Sequence, residues 1–149
     1  MRLNQVLNES VVKTNLKGET KQEIIEELLD ILVDAKSVSN RTLALASLMD
    51  RERKMSTGIQ HGVAIPHAKT PAVAKLSACI GLKPDGVDFK ALDGKPSTIF
   101  VMTLSPENLT GPHVQFLAEI SMVLKSQKVR EQLLTVTEPR EVLSIFGAL

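Results

Sequence analysis

The stretch TIFVMTL, residues 98–104, constrains this chain more than any other. It is apolar almost from end to end, as a central strand buried on both faces is. Such a strand needs cover above and below, and the rest of the chain has to supply it.

Helical patterns lie on either side of it. Thr20 opens a T-x-x-E capping box with Glu23. Behind it Ile24, Ile25, Leu28, Leu29, Ile31 and Leu32 recur at helical spacing, which predicts a helix to about Ala35. Ser39 is placed to cap a second helix, which carries Leu43, Leu45, Leu48 and Met49 and ends in the charged run Asp50–Lys54. Pro112 suits the first turn of a third helix. On that helix Val114, Leu117, Ser121 and Leu124 share one face, with Phe116 and Ile120 beside it. Two shorter helices are expected at 127–134 and 139–146.

Further strands are expected at residues 10–16 and around Leu76, Ala78, Ile80 and Leu82, whose alternation with smaller residues reads as half-buried. Asp85-Gly86 and Asp93-Gly94 are turn signals around a short strand at 87–89, and residues 106–111 form a polar loop. Strands interleaved with helices predict an α/β sandwich, one sheet covered by helices on its faces.

Composition excludes several function classes. At 149 residues the chain is one domain, large enough to bury a core. The net charge of +1 gives no broad footprint for nucleic acid or anionic membrane. Without Trp or Tyr, and with four Phe, there is no stacking platform for bases. The single cysteine, Cys79, has no disulfide partner and fits a reducing, cytoplasmic setting. The first residues lack an apolar segment of signal-peptide length, and a soluble cytosolic protein is expected.

The chemistry concentrates in STGIQHGVAIPHAKT, residues 56–70, which holds two of the three histidines. Gly58 and Gly62 permit tight turns or close backbone approach, and Pro66 fixes the backbone entering His67. The third histidine, His113, follows Pro112 at a helix N-terminus, where free N–H groups favour an anion and disfavour an imidazolium. The H-x5-H spacing of His61 and His67 is not that of two metal ligands on a helix, and no carboxylate or cysteine is grouped with them. Cys79 reads as a small buried hydrophobe, and no G-x-S-x-G motif is present. A third chemistry open to these residues is phosphoryl transfer through an imidazole, which is a good nucleophile near neutral pH and needs Arg, a second His and backbone N–H groups for the phosphoryl oxygens. No P-loop lysine motif supplies a nucleotide donor. Met55 and Ile59 flank the loop as candidates for an apolar contact patch.

STGIQHGVAIPHAK strongly resembles the phosphorylation motif of the type-2 EIIA domain of the bacterial phosphoenolpyruvate-dependent sugar phosphotransferase system, the fructose/mannitol group that also contains the nitrogen-regulatory EIIA. RERKMSTG upstream, VDFKALDGKPSTIFVMTLSP and PHVQFLAEISMVLKS downstream resemble further parts of that family, so the likeness runs from about Val11 to Phe146. It implies a mixed sheet of about five strands sandwiched between helices. It implies that His67 is the phosphorylated residue, with His113 and Arg51 as active-site partners. His61 falls on a position that varies within the family among His, Asn and Glu, and with Thr57 it is placed on the rim. The resemblance implies an HPr-type donor and, as acceptor, an EIIB domain or a regulated protein. No cofactor is implied, and the membrane is involved only through EIIC. Gln60 stands where the family often has Gly.

Overall fold

The computed structural model describes residues 3–149. After two short 3₁₀ turns (Leu3–Gln5 and Glu9–Val11) come β1 (Val12–Lys13), α1 (Lys21–Asp34), α2 (Arg41–Lys54), β2 (Val63–Ala64) and β3 (His67–Lys69). They are followed by β4 (Ser77–Val87), β5 (Ser97–Ser105), α3 (Thr110–Leu124), α4 (Gln127–Leu133) and α5 (Pro139–Ile145). The mixed sheet has the order β1-β4-β5-β2, and β3 also pairs with β5. β4 and β5 run antiparallel, whereas β1 joins β4, and β2 and β3 join β5, in parallel.

β5 is the central strand that its apolar sequence predicts, and eight of its nine residues are buried. Register sorts its side chains. Phe100 and Met102 stand opposite Gly81 and Cys79 on one face, and Cys79 Sγ lies 3.3 Å from the Leu28 carbonyl of α1. α1 therefore covers that face with Ile24, Ile25, Leu28, Leu29 and Leu32, all fully buried. Ile99, Val101, Thr103 and Ser105 point the other way, toward α3.

β4 is buried on both faces from Ser77 to Lys83, not half-buried as its alternation implies. The small residues between its aliphatic ones are not solvent positions. A Cβ on Gly81 would lie 2.7 Å from side-chain carbons of Leu16 and Leu28, so their smallness lets α1 pack close. Asp85-Gly86 is no turn either. β4 continues to Val87 through a register shift, with Gly86 at φ +78°, while Asp93-Gly94 does form a turn.

Three further expectations are corrected. The first strand shrinks to Val12–Lys13, because residues 9–11 form a 3₁₀ turn capped by Asn8. Asn40, not Ser39, caps α2: its side chain accepts from the Leu43 N–H, while Ser39 Oγ donates to the Ala72 carbonyl. The buried stripe of α3 is His113, Phe116, Ile120 and Leu124, and Val114 is 58% exposed. The helix, which begins within the expected loop at Thr110, is rotated so that His113 faces the sheet.

β2 and β3 are in effect one strand. Val63 pairs with Ile99, Ala64 with Phe100 and His67 with Thr103, a constant offset, and the ladder is interrupted only at Ile65-Pro66. The Pro66 carbonyl still accepts from the Thr103 N–H at 2.9 Å. His67 is thereby carried on backbone held by β5 on both sides of the break, and its side chain shares the α3 face with Thr103.

Candidate functional site

Each of the three elements around His67 contributes one group of the site. β3 supplies His67, the first turn of α3 supplies His113, and the C-terminal end of α2 supplies Arg51. All three line one cleft of ≈ 550 Å³, together with Lys54 and Lys69. The imidazole ring centroids of His67 and His113 are 5.6 Å apart, with planes inclined at 54°.

His67 Nδ1 lies 2.8 Å from the Ile65 carbonyl. A carbonyl oxygen only accepts, so Nδ1 carries the proton and Nε2 keeps its lone pair. Alternation along the strand leaves this carbonyl available: the Gly62 and Pro66 carbonyls accept from β5 N–H groups, and that of Ile65 points to the other side. Burial lowers the His67 pKa first, with the nearby Arg51 charge adding to the effect. The carbonyl bond and Glu52 oppose it. The result is a neutral imidazole with a free ring nitrogen, the form a nucleophile needs.

His113 is buried and its Nδ1 lies 2.7 Å from Ser105 Oγ. Its pKa is pushed down to about 4, by burial first and then by the neighbouring His67 and Lys69. The sequence predicts a neutral His113 from the helix dipole; burial is the larger cause. α3 has no side-chain cap bond at Leu109, and His113 spends its bond on the sheet.

Arg51 donates through Nη1 to the Met55 carbonyl at 2.9 Å, which anchors the guanidinium at the helix end and leaves its other N–H groups free among the described residues. Lys69 Nζ donates to Thr110 Oγ1 at 2.5 Å, joining β3 to the start of α3 beside the two histidines. The cleft is lined by the basic side chains of Arg51, Lys54 and Lys69 and by the Asp50 carboxylate, a set suited to a dianionic phosphoryl group.

Glu52 is the residue that sequence reasoning passed over. In a run of charges it reads as solvated, yet it is 6% exposed. Its carboxylate accepts from the Thr57 N–H at 2.8 Å and the Thr57 hydroxyl at 2.6 Å, and Lys21 Nζ lies at 2.6 Å. Lys21 also donates to Ser56 Oγ at 3.1 Å, and its ammonium lies 4.8 Å from the Phe89 ring centroid. This clasp fixes the loop that leads from Arg51 to the glycines. Removing one partner of such a buried pair costs about 3–5 kcal/mol.

The two residues expected on the rim lie elsewhere. Thr57 is buried with its hydroxyl on Glu52, so it supports the loop from inside. His61 adopts φ +58° in the turn closed by the Val63 N–H and the Gln60 carbonyl. It lines a different cleft, of ≈ 370 Å³, with Ile59, Val63, Ile65 and Arg130. Gly62 beside it, at φ +78°, is where a Cβ would come within 2.8 Å of Thr98 Oγ1. Met55 and Ile59 are both exposed, at 58% and 39%. Cys79 is fully buried, and its thiol pKa is raised by that burial. Among the described residues no helix is long and apolar enough to cross a membrane.

Residues 5–148 match the family described as "Phosphoenolpyruvate-dependent sugar phosphotransferase system, EIIA 2". The chain is 40% identical over 128 residues to the fructose-specific EIIA component of the phosphotransferase system of Haloferax volcanii, covering 86% of this chain and 83% of that protein. It is 31% identical over 147 residues to the fructose-specific EIIABC component of Bacillus subtilis, covering 99% of this chain and 23% of that longer protein. Among solved structures, the nitrogen regulatory protein IIA-Ntr from Neisseria meningitidis superposes with a TM-score of 0.90 at 30% identity, covering 97% of this chain and 98% of that one.

Proposed function

This chain belongs to the type-2 EIIA family of the phosphoenolpyruvate-dependent sugar phosphotransferase system, and from that premise we propose that His67 accepts a phosphoryl group from a phospho-HPr donor and passes it to an EIIB domain. The observation that carries this reading is the bond from His67 Nδ1–H to the Ile65 carbonyl, which turns a lone-pair-bearing Nε2 toward the reaction.

In the proposed step the donor's P–N bond breaks as the Nε2–P bond forms. Nε2 has no proton to lose. Positive charge developing on the ring is stabilised through Nδ1–H by the carbonyl dipole. The equatorial oxygens gather negative charge and are met by Arg51 and by an N–H of His113. The return step runs the same path toward the acceptor, so the site favours neither direction by geometry alone.

A second reading has its own support, the likeness to the nitrogen regulatory protein of Neisseria meningitidis. There the phosphorylation state of His67 switches protein binding and no EIIB is needed. Both readings require an acid-labile phosphoryl group on His67. Incubation with phosphoenolpyruvate, Enzyme I and HPr, followed by mass spectrometry, should show one such group in the wild type and none in His67→Ala. Label retained in His67→Ala would overturn the assignment. Chasing the label into a fructose-type EIIB separates the two readings: rapid transfer supports the transport chain, and none supports the switch.

A further inference from the structure

Ser105 ends β5, is completely buried, and has no role in the chemistry described so far. Its Oγ is 2.7 Å from His113 Nδ1. A hydroxyl can donate or accept, so the distance alone does not place the proton. Burial does. Ser105 Oγ has no other partner among the described residues, and Thr103 Oγ1, on the same face of the strand, has none at all. If His113 donated from Nδ1, the serine proton would point into a dry interior with nothing to receive it, which costs about 1–3 kcal/mol. If the serine donates, its proton is taken by Nδ1 and the ring proton stays on Nε2, at the open cleft that His113 lines.

We propose that Ser105 is a positioning residue for His113: its hydroxyl donates to Nδ1, which places the single ring proton on Nε2 and turns an N–H toward the cleft. The inference rests on the reading of His67 as phosphoryl acceptor for its function, though not for its tautomer. The two rings are then built alike and work oppositely. Each has its Nδ1 tied to the sheet side, one to a carbonyl and one to a hydroxyl donor. The carbonyl forces the proton onto Nδ1 of His67 and leaves a nucleophile. The hydroxyl forces the proton off Nδ1 of His113 and leaves a donor. Without Ser105 the second ring is free to take the other tautomer, whose Nε2 lone pair would face the phosphoryl oxygens and repel them.

The test is the tautomer itself. In ¹⁵N-labelled protein at neutral pH, long-range ¹H–¹⁵N spectra should show His113 protonated at Nε2 with a pyridine-like Nδ1, and His67 with the opposite pattern. Ser105→Ala should shift His113 to a mixture, and Ser105→Thr, which keeps the hydroxyl, should hold the wild-type pattern. Rapid-quench transfer from labelled HPr should slow about tenfold in Ser105→Ala and recover in Ser105→Thr, a fraction of the loss expected for deleting a donor outright. A wild-type His113 protonated at Nδ1 would overturn the proposal, as would Ser105→Ala with unaltered tautomer and rate. The wild-type spectrum decides even if the alanine variant folds poorly. A wild type with the expected tautomers that takes no label from phospho-HPr would uphold the serine's role as a proton-placing group and refute the phosphocarrier reading.

Discussion

The two faces of β5 are built from the same strand to different ends. On the α1 side Phe100 and Met102 meet Gly81 and Cys79 in an apolar layer, where one extra carbon on Gly81 has no room. On the α3 side Ile99 and Val101 continue the core, and then Thr103, Ser105 and the paired His67 bring buried polarity to one end. The first face is held by close packing, which tolerates little change of volume. The second is held by a few directional bonds, each fixing a proton or a ring. Substitutions on the first should act on stability and leave the chemistry alone, and those on the second should act on chemistry first.

The sharpest way to break that division is at the polar end. His113→Ala should lower the rate of transfer from His67 by about 10²–10³, the usual loss for one preorganised donor, with slow phosphorylation still detectable. Arg51→Ala should impair uptake and transfer together, because a permanent charge stabilises the phosphoryl dianion whether or not it is moving. A urea melt of Arg51→Ala should stay near wild type, whereas His113→Ala, which leaves the buried Ser105 hydroxyl without its acceptor, should lose about 1–3 kcal/mol. Wild-type transfer rates in His113→Ala would refute the role proposed for His113.

The apolar face should respond in the opposite way. Gly81→Ala forces a methyl within 2.7 Å of Leu16 and Leu28 and should cost about 1–3 kcal/mol in urea unfolding. Below its melting transition it should accept phosphate from HPr at the wild-type rate. A large loss of rate in folded Gly81→Ala would show that the two faces are coupled.

The smallest expected effect sharpens the comparison through pH. His113 is held at about 4 against an ordinary 6.5, and His67 is also lowered, each chiefly by burial. Between those values the unfolded chain binds more protons at His113 than the folded one, so stability rises with pH across the window. It is fully present above about 6.5 and falls as pH drops toward 4. Because the rings border an open cleft, the loss should be about 1–2 kcal/mol, below the full linkage value. Chemical melts from pH 7 to 4.5 measure it, and His113→Asn should flatten the curve. An equal slope in that variant would assign the effect to other groups.

How much of this was legible depends on how far each residue's role is written in its neighbours. The motif around Pro66 and the glycines singles out His67 through its resemblance to the family. The same motif resemblance placed His113 and Arg51, and the structure brings all three into one cleft. Glu52 could not be read, because a charged run looks identical whether it faces water or receives Lys21 from α1 and Thr57 from the loop that follows. Ser105 sits at the junction of an apolar strand and a proline, where serine is ordinary; only its contact with His113 gives it meaning. The resemblance puts His61, with Thr57, on the rim. The left-handed turn at His61 sends that ring to a separate cleft, and the bond to Glu52 draws Thr57 inward. The apolar pattern of α3 fits two rotations, and the one adopted buries Phe116, Ile120 and Leu124 and ties His113 to Ser105.

The interrupted ladder at Ile65-Pro66 has a consequence for traffic between proteins. In the proposed function, a carrier must be met many times by at least two different surfaces, and each meeting is brief. If its reactive nitrogen sat on a mobile loop, every encounter would have to order that loop again, and affinity and speed would both suffer. Here backbone pairing to β5 on either side of the break orders the residue once, when the chain folds. Each visitor then finds the same target in the same orientation, and its rate of productive docking is governed by diffusion and alignment rather than by waiting for a rare shape.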